Sequence, residues 1–242
     1  VFFASSSNPL HYSSLHLLGE TPIFVPDSAG DSFGDLADLA ERFVTSDEAR
    51  RLWRGLYGKV LGFKGVQPSH TYNAQTRIDI GGLTINVLHT PGQTVDSHCF
   101  YEETNGIMFG FGFGMSQYGQ PYGFRESSLE DLEASVFQIK AYEPKVFVSS
   151  HQGVLRTSID EQFDRFLEEI SQRNQLILKA LANPSTVDEL ARQHILIPSF
   201  PSNLEPLFLD WERQMLQKHL DYLLLNNRVA KRAEKYYAQD DI

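Results

Sequence analysis

The sequence predicts an α/β fold with two parts, an alternation of strands and helices over residues 1–157 and a helical module over residues 158–242. Two patterns support this prediction. Short runs in which branched or aromatic residues alternate with polar ones, bounded by turn residues, are typical of strands. Apolar residues at helical spacing, preceded by capping residues and early acids, lie between these runs and dominate after Ser158.

The strand predictions are clearest at two hairpins. The first covers residues 77–88, where Gly81-Gly82 separates two alternating runs, and the second joins residues 98–102 to residues 107–109 through Asn105-Gly106. Glycine and asparagine supply the positive φ angles of tight turns, so each pair is expected to be antiparallel. Shorter buried strands are predicted at residues 1–4, 21–26 and 145–149.

The helix predictions depend on caps and apolar spacing. Ser127 or Ser128 precedes a run with acids in its first turn, where the helix dipole favours negative charge. Beyond Ser158 the strands are expected to disappear, apart from a short wing. The predicted helices occupy residues 32–58 (as one helix or two), 128–141, 159–181, 186–193 and 209–226.

Composition excludes several classes of protein. No apolar run approaches the ~18 residues that a membrane span requires, so no membrane partner is expected. The net charge of −10 repels phosphate backbones and makes nucleic-acid binding an unfavoured hypothesis. The single cysteine, Cys99, cannot form an intrachain disulfide and is expected to be a small core residue. We therefore expect a cytoplasmic protein.

Residues 83–102 carry a resemblance to a known superfamily. They place a strand before His89-Thr90-Pro91-Gly92-Gln93-Thr94 and another strand after it. This arrangement resembles the metallo-β-lactamase superfamily, in which the loop reads His-Thr-Pro-Gly-His-Thr and its second histidine binds metal. By this resemblance Gln93 stands where the family has a ligand.

Three further segments fit the same pattern in the same order. Residues 5–14 resemble the family's Thr-His-x-His-x-Asp-His loop, with His11 in the last position. Residues 105–114 resemble a hairpin that normally ends in Gly-Asp, and residues 149–153 resemble the loop that delivers another ligand histidine, here His151. The remaining positions of the first loop hold Ser6, Asn8 and Leu10.

The resemblance covers residues 1–157 and implies an αββα sandwich. The strands that precede the first ligand loop in the superfamily are absent from this sequence. A sheet without its neighbours exposes backbone groups and core surface. We therefore expect a second copy of the chain, as a homodimer, or another partner to cover that side.

The resemblance also implies a zinc or iron centre, and the residues argue against it. About three imidazole or carboxylate ligands hold such an ion, whereas this chain keeps only His11 and His151, which should face each other. Residues 110–114 contain no aspartate for the bridging position. We therefore expect no bound metal, and we expect the two histidines to form hydrogen bonds with loop backbone. If a metal site is retained, Asp27, Asp96 or His16 is expected to provide its third ligand.

The vacated cleft is the predicted site for a small-molecule ligand. Residues 109–124 interleave glycines with aromatic side chains, which favours either an apolar pocket or a loop packed on its own sheet. A nucleophilic serine among Ser5, Ser6 and Ser7 is a disfavoured hypothesis because no Gly-x-Ser-x-Gly elbow is present. The candidate pocket residues are Ser6, Asn8, His11, Gln93, Phe111, Phe113 and His151.

The C-terminal module resembles the winged-helix-like appendage of some superfamily members. Its last long helix mixes Asp210, Glu212 and Asp221 with basic residues, so it lacks the positive stripe that DNA reading needs. The one basic group is Arg228, Lys231, Arg232 and Lys235. A role in packing or dimerisation is favoured.

Three functional hypotheses follow. The leading one is a metal-free protein derived from a hydrolase, which binds a small molecule or serves as a non-catalytic subunit. The second is a hydrolase of an ester, thioester or lactone that uses a reduced metal site at His11 and His151. The third is a regulator that acts through the C-terminal module.

Overall fold

Two β-sheets form the centre of the molecule. The computed structural model describes residues 1–30, 33–112 and 122–239. In the three-stranded sheet, β1 is parallel to β2 and β2 to β3. In the six-stranded sheet every neighbouring pair is antiparallel except β7 and β8. The strands are β1 (Phe2–Phe3), β2 (Ile23–Pro26), β3 (His70–Tyr72), β4 (Arg77–Asp79), β5 (Thr84–His89), β6 (His98–Glu102), β7 (Ile107–Phe111), β8 (Val146–Ser149) and β9 (Gly153–Leu155).

Six α-helices accompany these sheets in the described part of the chain, and most begin at a side-chain cap. Asp35, Ser46, Ser128 and Thr186 each accept a hydrogen bond from a backbone N–H in the first turn. A hairpin of β10 (Val229–Arg232) and β11 (Lys235–Ala238) ends the described chain. The helices are α1 (Leu36–Phe43), α2 (Asp47–Gly55), α3 (Leu129–Ala141), α4 (Ile159–Ala180), α5 (Val187–Ala191) and α6 (Glu205–Leu225).

The layers are α, β, β and α, as expected. Side chains of both sheets meet in one cluster that includes Tyr72, Val87 and Phe100. Helices α1 and α2 cover the outer face of the three-stranded sheet, where Trp53 is fully buried. Helices α3 and α4 cover the outer face of the six-stranded sheet, where Phe147 packs edge-on against Phe163.

Helix α6 contributes to two of these cores. Its first turn places Leu207 in the cluster with α1 and α2, whereas Met215 and Leu220 belong to the cluster with α3 and α4. The helical segment therefore packs on both sides of the sandwich. The division of the chain into two domains, residues 1–157 and residues 158–242, stays a prediction.

The structure corrects several of the predicted elements. Strands β3 and β9 are short elements that the sequence pattern did not predict. Beyond Ser158, where only a short wing was expected, β10 and β11 pair as a hairpin after α6. Helix α6 begins at Glu205, four positions before its predicted start, because Pro206 in its first turn needs no N–H partner there.

The topology brings several loops to one edge of the sandwich. Strands β1, β2 and β3 are parallel and end at the same edge of their sheet. Strands β5, β7 and β8 end at the corresponding edge of the other sheet, and the His98 N–H donates to the Ser5 carbonyl oxygen at 2.8 Å across the gap. Among the residues described, no helix is both long and apolar enough to cross a bilayer.

Candidate functional site

The loop after β1 is folded around its own polar side chains. Asn8 caps a 3-10 turn at Pro9–His11, its side-chain oxygen accepting from the Leu10 N–H at 3.1 Å. Leu10 is 59% exposed and points to solvent. Of the residues that the sequence resemblance predicts at the family's ligand positions, Asn8 is therefore used as a cap and the Leu10 side chain offers no donor atom.

His11 is hydrogen-bonded to hydroxyl groups, which corrects the expectation that it bonds loop backbone. Its Nδ1 lies 3.0 Å from Ser6 Oγ and 3.3 Å from Ser5 Oγ. Because Ser6 Oγ already accepts from the Asn8 N–H, its own proton is available to Nδ1. This arrangement favours the neutral tautomer with the proton on Nε2.

The electrostatic environment keeps His11 neutral. The pKa of His11 is lowered to about 4, mainly by burial and secondly by the nearby His151, while Asp96 opposes both effects. A neutral imidazole with its proton on Nε2 has no lone pair at that nitrogen. At neutral pH His11 is therefore a hydrogen-bonded structural group and a weak base.

Gly112 approaches the other side of the His11 ring. A Cβ atom at residue 112 would lie 2.6 Å from His11 Cε1 and 3.2 Å from Gln93 Oε1. The register of β7 shifts against β8 between Phe109 and Phe111, and Phe111 adopts a positive φ of 44°. This irregularity directs the backbone towards His11, so only glycine fits at position 112.

The loop of residues 89–97 is tied to α3. A Cβ atom at Gly92, whose φ is 135°, would lie 2.5 Å from Leu132 Cα. The Ser127 hydroxyl donates to the Gln93 carbonyl oxygen at 2.7 Å, and the Ser135 hydroxyl donates to the Pro91 carbonyl oxygen at 2.8 Å. Gln93 is 6% exposed and thus held inside the site.

A buried ionic group joins the two loops beneath His11. Asp96 is fully buried, accepts from the Ser7 N–H at 3.1 Å and lies 3.4 Å from the Arg42 guanidinium. Arg42 also donates to both carboxylate oxygens of Glu126, at 2.5 and 2.9 Å. Burial opposes the charged form of Arg42, yet the bonds to Glu126 and the charge of Asp96 raise its pKa.

The cleft encloses a cavity of about 10 Å³. A cavity of this size has room for about one water molecule. Ser6, His11 and Gln93 line it, as do three residues that the sequence reasoning missed, Thr90, Ser97 and His98. His98 is the first residue of β6, directly after the loop of residues 89–97, so the predicted start of this strand was a signal for its position.

The remaining predicted residues lie elsewhere. Phe111 stacks on Phe109 and meets Phe100 edge-on within the core between the sheets. His151 is exposed at the end of β8 and does not line the cavity. Phe113 and most of the glycine-aromatic run lie outside the described residues. Cys99 is 1% exposed, as expected for a core residue.

The donor set does not fit zinc or iron. Among the described residues there is no group of three or more His, Cys, Asp or Glu side chains placed to hold a metal ion. Asp27 accepts from the Asn73 amide at 3.0 Å, the exposed His16 lies 3.0 Å from the Ser13 carbonyl oxygen, and Asp96 faces Arg42. None of these side chains completes a site with His11 and His151.

Comparison with solved structures identifies the fold. A metallo-β-lactamase family protein from Thermus thermophilus matches with a TM-score of 0.62 and 16% identity, covering 98% of this chain and 89% of that chain. A β-lactamase domain protein from Burkholderia ambifaria matches with a TM-score of 0.74 and 14% identity, covering 98% of this chain and 74% of that chain. This chain has the metallo-β-lactamase fold.

The likeness extends to the fold alone. Searches with protein-family models and against curated proteins find no match. At 14–16% identity, similarity to metallo-β-lactamase-fold structures supports a hydrolase-like architecture. Function has to be argued from the site itself.

Proposed function

We propose that this chain is a non-catalytic protein with the metallo-β-lactamase fold, acting as a binding protein or as a subunit of a larger assembly. The observation that carries the proposal is the contact among His11, Ser6 and Gly112. The Ser6 hydroxyl engages His11 Nδ1 at 3.0 Å, and Gly112 approaches the Cε1–Nε2 edge of the ring. Both sides of this imidazole are therefore engaged within the protein.

Metal-dependent hydrolysis needs a set of ligands that these residues do not offer. Catalytic zinc sites use three protein ligands and keep one position open for water. At the family's positions, serine, asparagine, leucine and glutamine replace imidazoles and a carboxylate, and neutral hydroxyls or amides bind zinc poorly. The proposal is that a hydrogen-bonded polar cluster has taken the place of the metal centre.

Hydrolysis through a serine nucleophile is also disfavoured. Ser6 is 1% exposed and Ser5 is 6% exposed, and the cavity beside them measures about 10 Å³. A substrate carbonyl has no room there. The pKa of His11, lowered to about 4 by burial and by His151, leaves it a weak general base.

The binding role concerns a partner or a small molecule outside this narrow cavity. We propose a cytoplasmic location, and a homodimer or another partner against the three-stranded sheet. Support comes from Phe3 and Phe24 of the three-stranded sheet, which pack against the core between the sheets and are only partly buried there. A second chain against this sheet would cover the apolar surface that these side chains leave exposed.

One observation favours the alternative, a hydrolase of an ester, thioester or lactone with a reduced metal site. His151 lies close enough to His11 to lower its pKa. Because catalytic zinc sites use three protein ligands, a third ligand would have to complete a site at these two histidines.

Metal analysis separates the two functions. Protein purified without added metal, and again after incubation with zinc and gel filtration, is analysed for zinc and iron by mass spectrometry. We expect well under one equivalent in both samples, with equal values for His11→Ala, His151→Ala and the exposed control His70→Ala. One equivalent that is lost in His11→Ala and His151→Ala but kept in His70→Ala, together with turnover of a thioester or lactone, would contradict the proposal.

A further inference from the structure

Two histidine side chains lie side by side on neighbouring strands of the six-stranded sheet. His89 ends β5 and His98 begins β6, and the two residues are direct partners in the antiparallel register. Their ring centroids are 5.0 Å apart, with an angle of 44° between the ring planes. With zinc–nitrogen bonds of about 2.0–2.1 Å and angles of about 90–110°, two imidazoles on one ion have centroids roughly 4.5–5.3 Å apart. The spacing of this pair therefore suits a shared metal ion.

Each ring has one nitrogen fixed by the backbone of the loop between the two strands. His89 Nε2 lies 2.8 Å from the Val95 carbonyl oxygen, and His98 Nδ1 lies 2.9 Å from the Asp96 carbonyl oxygen. A carbonyl oxygen only accepts, so in the neutral rings these two nitrogens carry the protons. Histidines that bind metal ions commonly make this kind of second bond, which fixes the tautomer and the orientation of the ring.

The other nitrogen of each ring is available to an ion. In the neutral tautomers, His89 Nδ1 and His98 Nε2 hold unprotonated lone pairs. Neither atom makes a hydrogen bond within the part of the chain that the structure describes. His89 is exposed whereas His98 is 4% exposed, so an ion reaches the pair from the solvent side of His89.

Nearby carboxylates favour a cation at this pair. Burial and the neighbouring His89 lower the pKa of His98, while the bond to the Asp96 carbonyl and the charges of Asp96 and Asp27 raise it. Asp27 directly follows β2, so this charge comes from the opposite sheet. A cation bound at the two rings is therefore attracted by a carboxylate from each side of the sandwich.

The donor atoms determine the class of ion. Imidazole nitrogen suits copper, nickel and zinc, whereas Mg²⁺ and Ca²⁺ prefer oxygen ligands. Since only two side chains bind the ion, water fills the remaining positions and the ion exchanges with solvent. Such a site is weaker than a catalytic zinc centre, which has three protein ligands, so its ion is lost on gel filtration.

We propose that His89 and His98 form an exchangeable site for a divalent transition-metal ion, coordinated through His89 Nδ1 and His98 Nε2, with Cu²⁺ bound more tightly than Zn²⁺. The ion joins the end of β5 to the start of β6 and so holds the loop of residues 89–97 in place. The site is distinct from the cleft, because His89 does not line the cleft cavity and His11 is not part of the pair.

The first test is an equilibrium titration of the full chain with Cu²⁺, Zn²⁺ and Mg²⁺, measured by calorimetry. We expect Cu²⁺ to bind at least tenfold more tightly than Zn²⁺, in the usual order of divalent ions, and Mg²⁺ not to bind. Zn²⁺ should also raise the urea midpoint of unfolding, because an ion that binds only the folded chain stabilises it.

Long-range ¹H–¹⁵N NMR of the imidazole rings tests the same site in the unaltered protein. We expect the Nε2–H tautomer for His89 and the Nδ1–H tautomer for His98, and we expect Zn²⁺ to shift the signals of the two unprotonated nitrogens. The opposite tautomers in the ion-free protein would overturn the proposal, because no lone pair would then be available to an ion.

Variants locate the ion. His89→Gln is expected to weaken Zn²⁺ binding at least tenfold and to remove the stabilisation by Zn²⁺. The matched control His70→Gln removes an exposed histidine from β3 and is expected to leave the affinity within twofold. His151→Ala, which alters the cleft, is also expected to leave it within twofold. If His89→Gln fails to fold, the NMR shifts of the unaltered protein decide between the outcomes.

Three results overturn the proposal. A loss of affinity in His151→Ala that is absent from His89→Gln places the ion in the cleft. Equal losses in His89→Gln and His70→Gln indicate general binding to surface histidines. Absence of binding with about 1 mM Cu²⁺, a concentration at which even a millimolar site is half filled, shows that the pair holds no ion.

Discussion

His11 and Gly112 fit together only because residue 112 has no side chain. A Cβ atom there would lie 2.6 Å from His11 Cε1 and 2.8 Å from its Nε2. Non-bonded carbon atoms prefer separations of about 3.5–4.0 Å. Either the ring or the backbone of β7 has to move if any other residue is present.

Replacement of Gly112 by alanine is therefore expected to destabilise the protein by about 1–3 kcal/mol, the usual cost of overpacking. Urea unfolding monitored by circular dichroism measures this change. Gly55→Ala is the matched control: no atom lies within 4 Å of a Cβ built there, so it is expected to be neutral or stabilising.

A double-mutant comparison isolates the contact with the ring. In a His11→Ala background the ring is absent, so the cost of Gly112→Ala should fall by at least half. An unchanged cost in that background would show that the backbone of residue 112, and not His11, determines the need for glycine.

Among the helices, α6 and α2 are joined by one carboxylate. Asp210 on α6 is 1% exposed and accepts from the Thr45 N–H and the Ser46 N–H, both at 2.9 Å, and from the Thr45 hydroxyl at 2.7 Å. These groups immediately precede α2, whose N-terminus favours negative charge. A residue of the C-terminal module thus completes the start of a helix in the sandwich.

Asp210→Ala is expected to cost roughly 2–4 kcal/mol, because buried donors lose a charged acceptor. The free energy of unfolding from urea titration measures the loss. Asp221→Ala on the same helix removes an exposed carboxylate bonded to Gln217 and should change stability by less than about 0.5 kcal/mol. Similar losses in both variants would mean that the helix itself, rather than its contact with α2, is weakened.

The elements that the sequence predicted are those with local signals. The β4–β5 and β6–β7 hairpins of the six-stranded sheet follow from their turn residues, and α3 follows from Ser128 and the acids after it. Strand β3 has three residues and pairs only with β2, 46 positions away in the Phe24 to His70 register. Its structure is imposed by tertiary contacts, so no local pattern reveals it.

At the scale of the whole molecule, stability depends on the neutral form of His219. Its pKa falls from 6.5 to about 3 on folding, through burial and then through Arg173. Below pH 6.5 the unfolded chain therefore binds a proton that the folded chain does not. This contribution is complete above that pH and is progressively lost as the pH falls towards 3.

His219→Gln removes this titration. We expect the stability of the variant, relative to wild type, to fall less steeply between pH 6.5 and 4.5, by up to about 1.4 kcal/mol per pH unit for one proton. Urea unfolding at several pH values measures the slope, and the exposed His16→Gln serves as control. Parallel slopes for wild type and His219→Gln would contradict the assignment of a neutral His219.

The site was only partly predictable for a related reason. The motif positions predicted which residues stand where the resembled family has its ligands, and that prediction rests on the sequence resemblance alone. The contacts around these positions were not predictable, since Ser7 meets Asp96 across 89 positions and Arg42 meets Glu126 across 84. Such pairs are set by the fold, and a single sequence does not specify them.

The irregular end of β7 has a consequence for protein engineering. Any side chain introduced at position 112 would lie directly against the His11 ring. That change is blocked until the ring rotates, and the ring is held by the hydroxyls of Ser5 and Ser6. A substitution at position 112 therefore has to be combined with changes at His11 or at these serines, and stepwise selection would encounter a stability barrier at its first round.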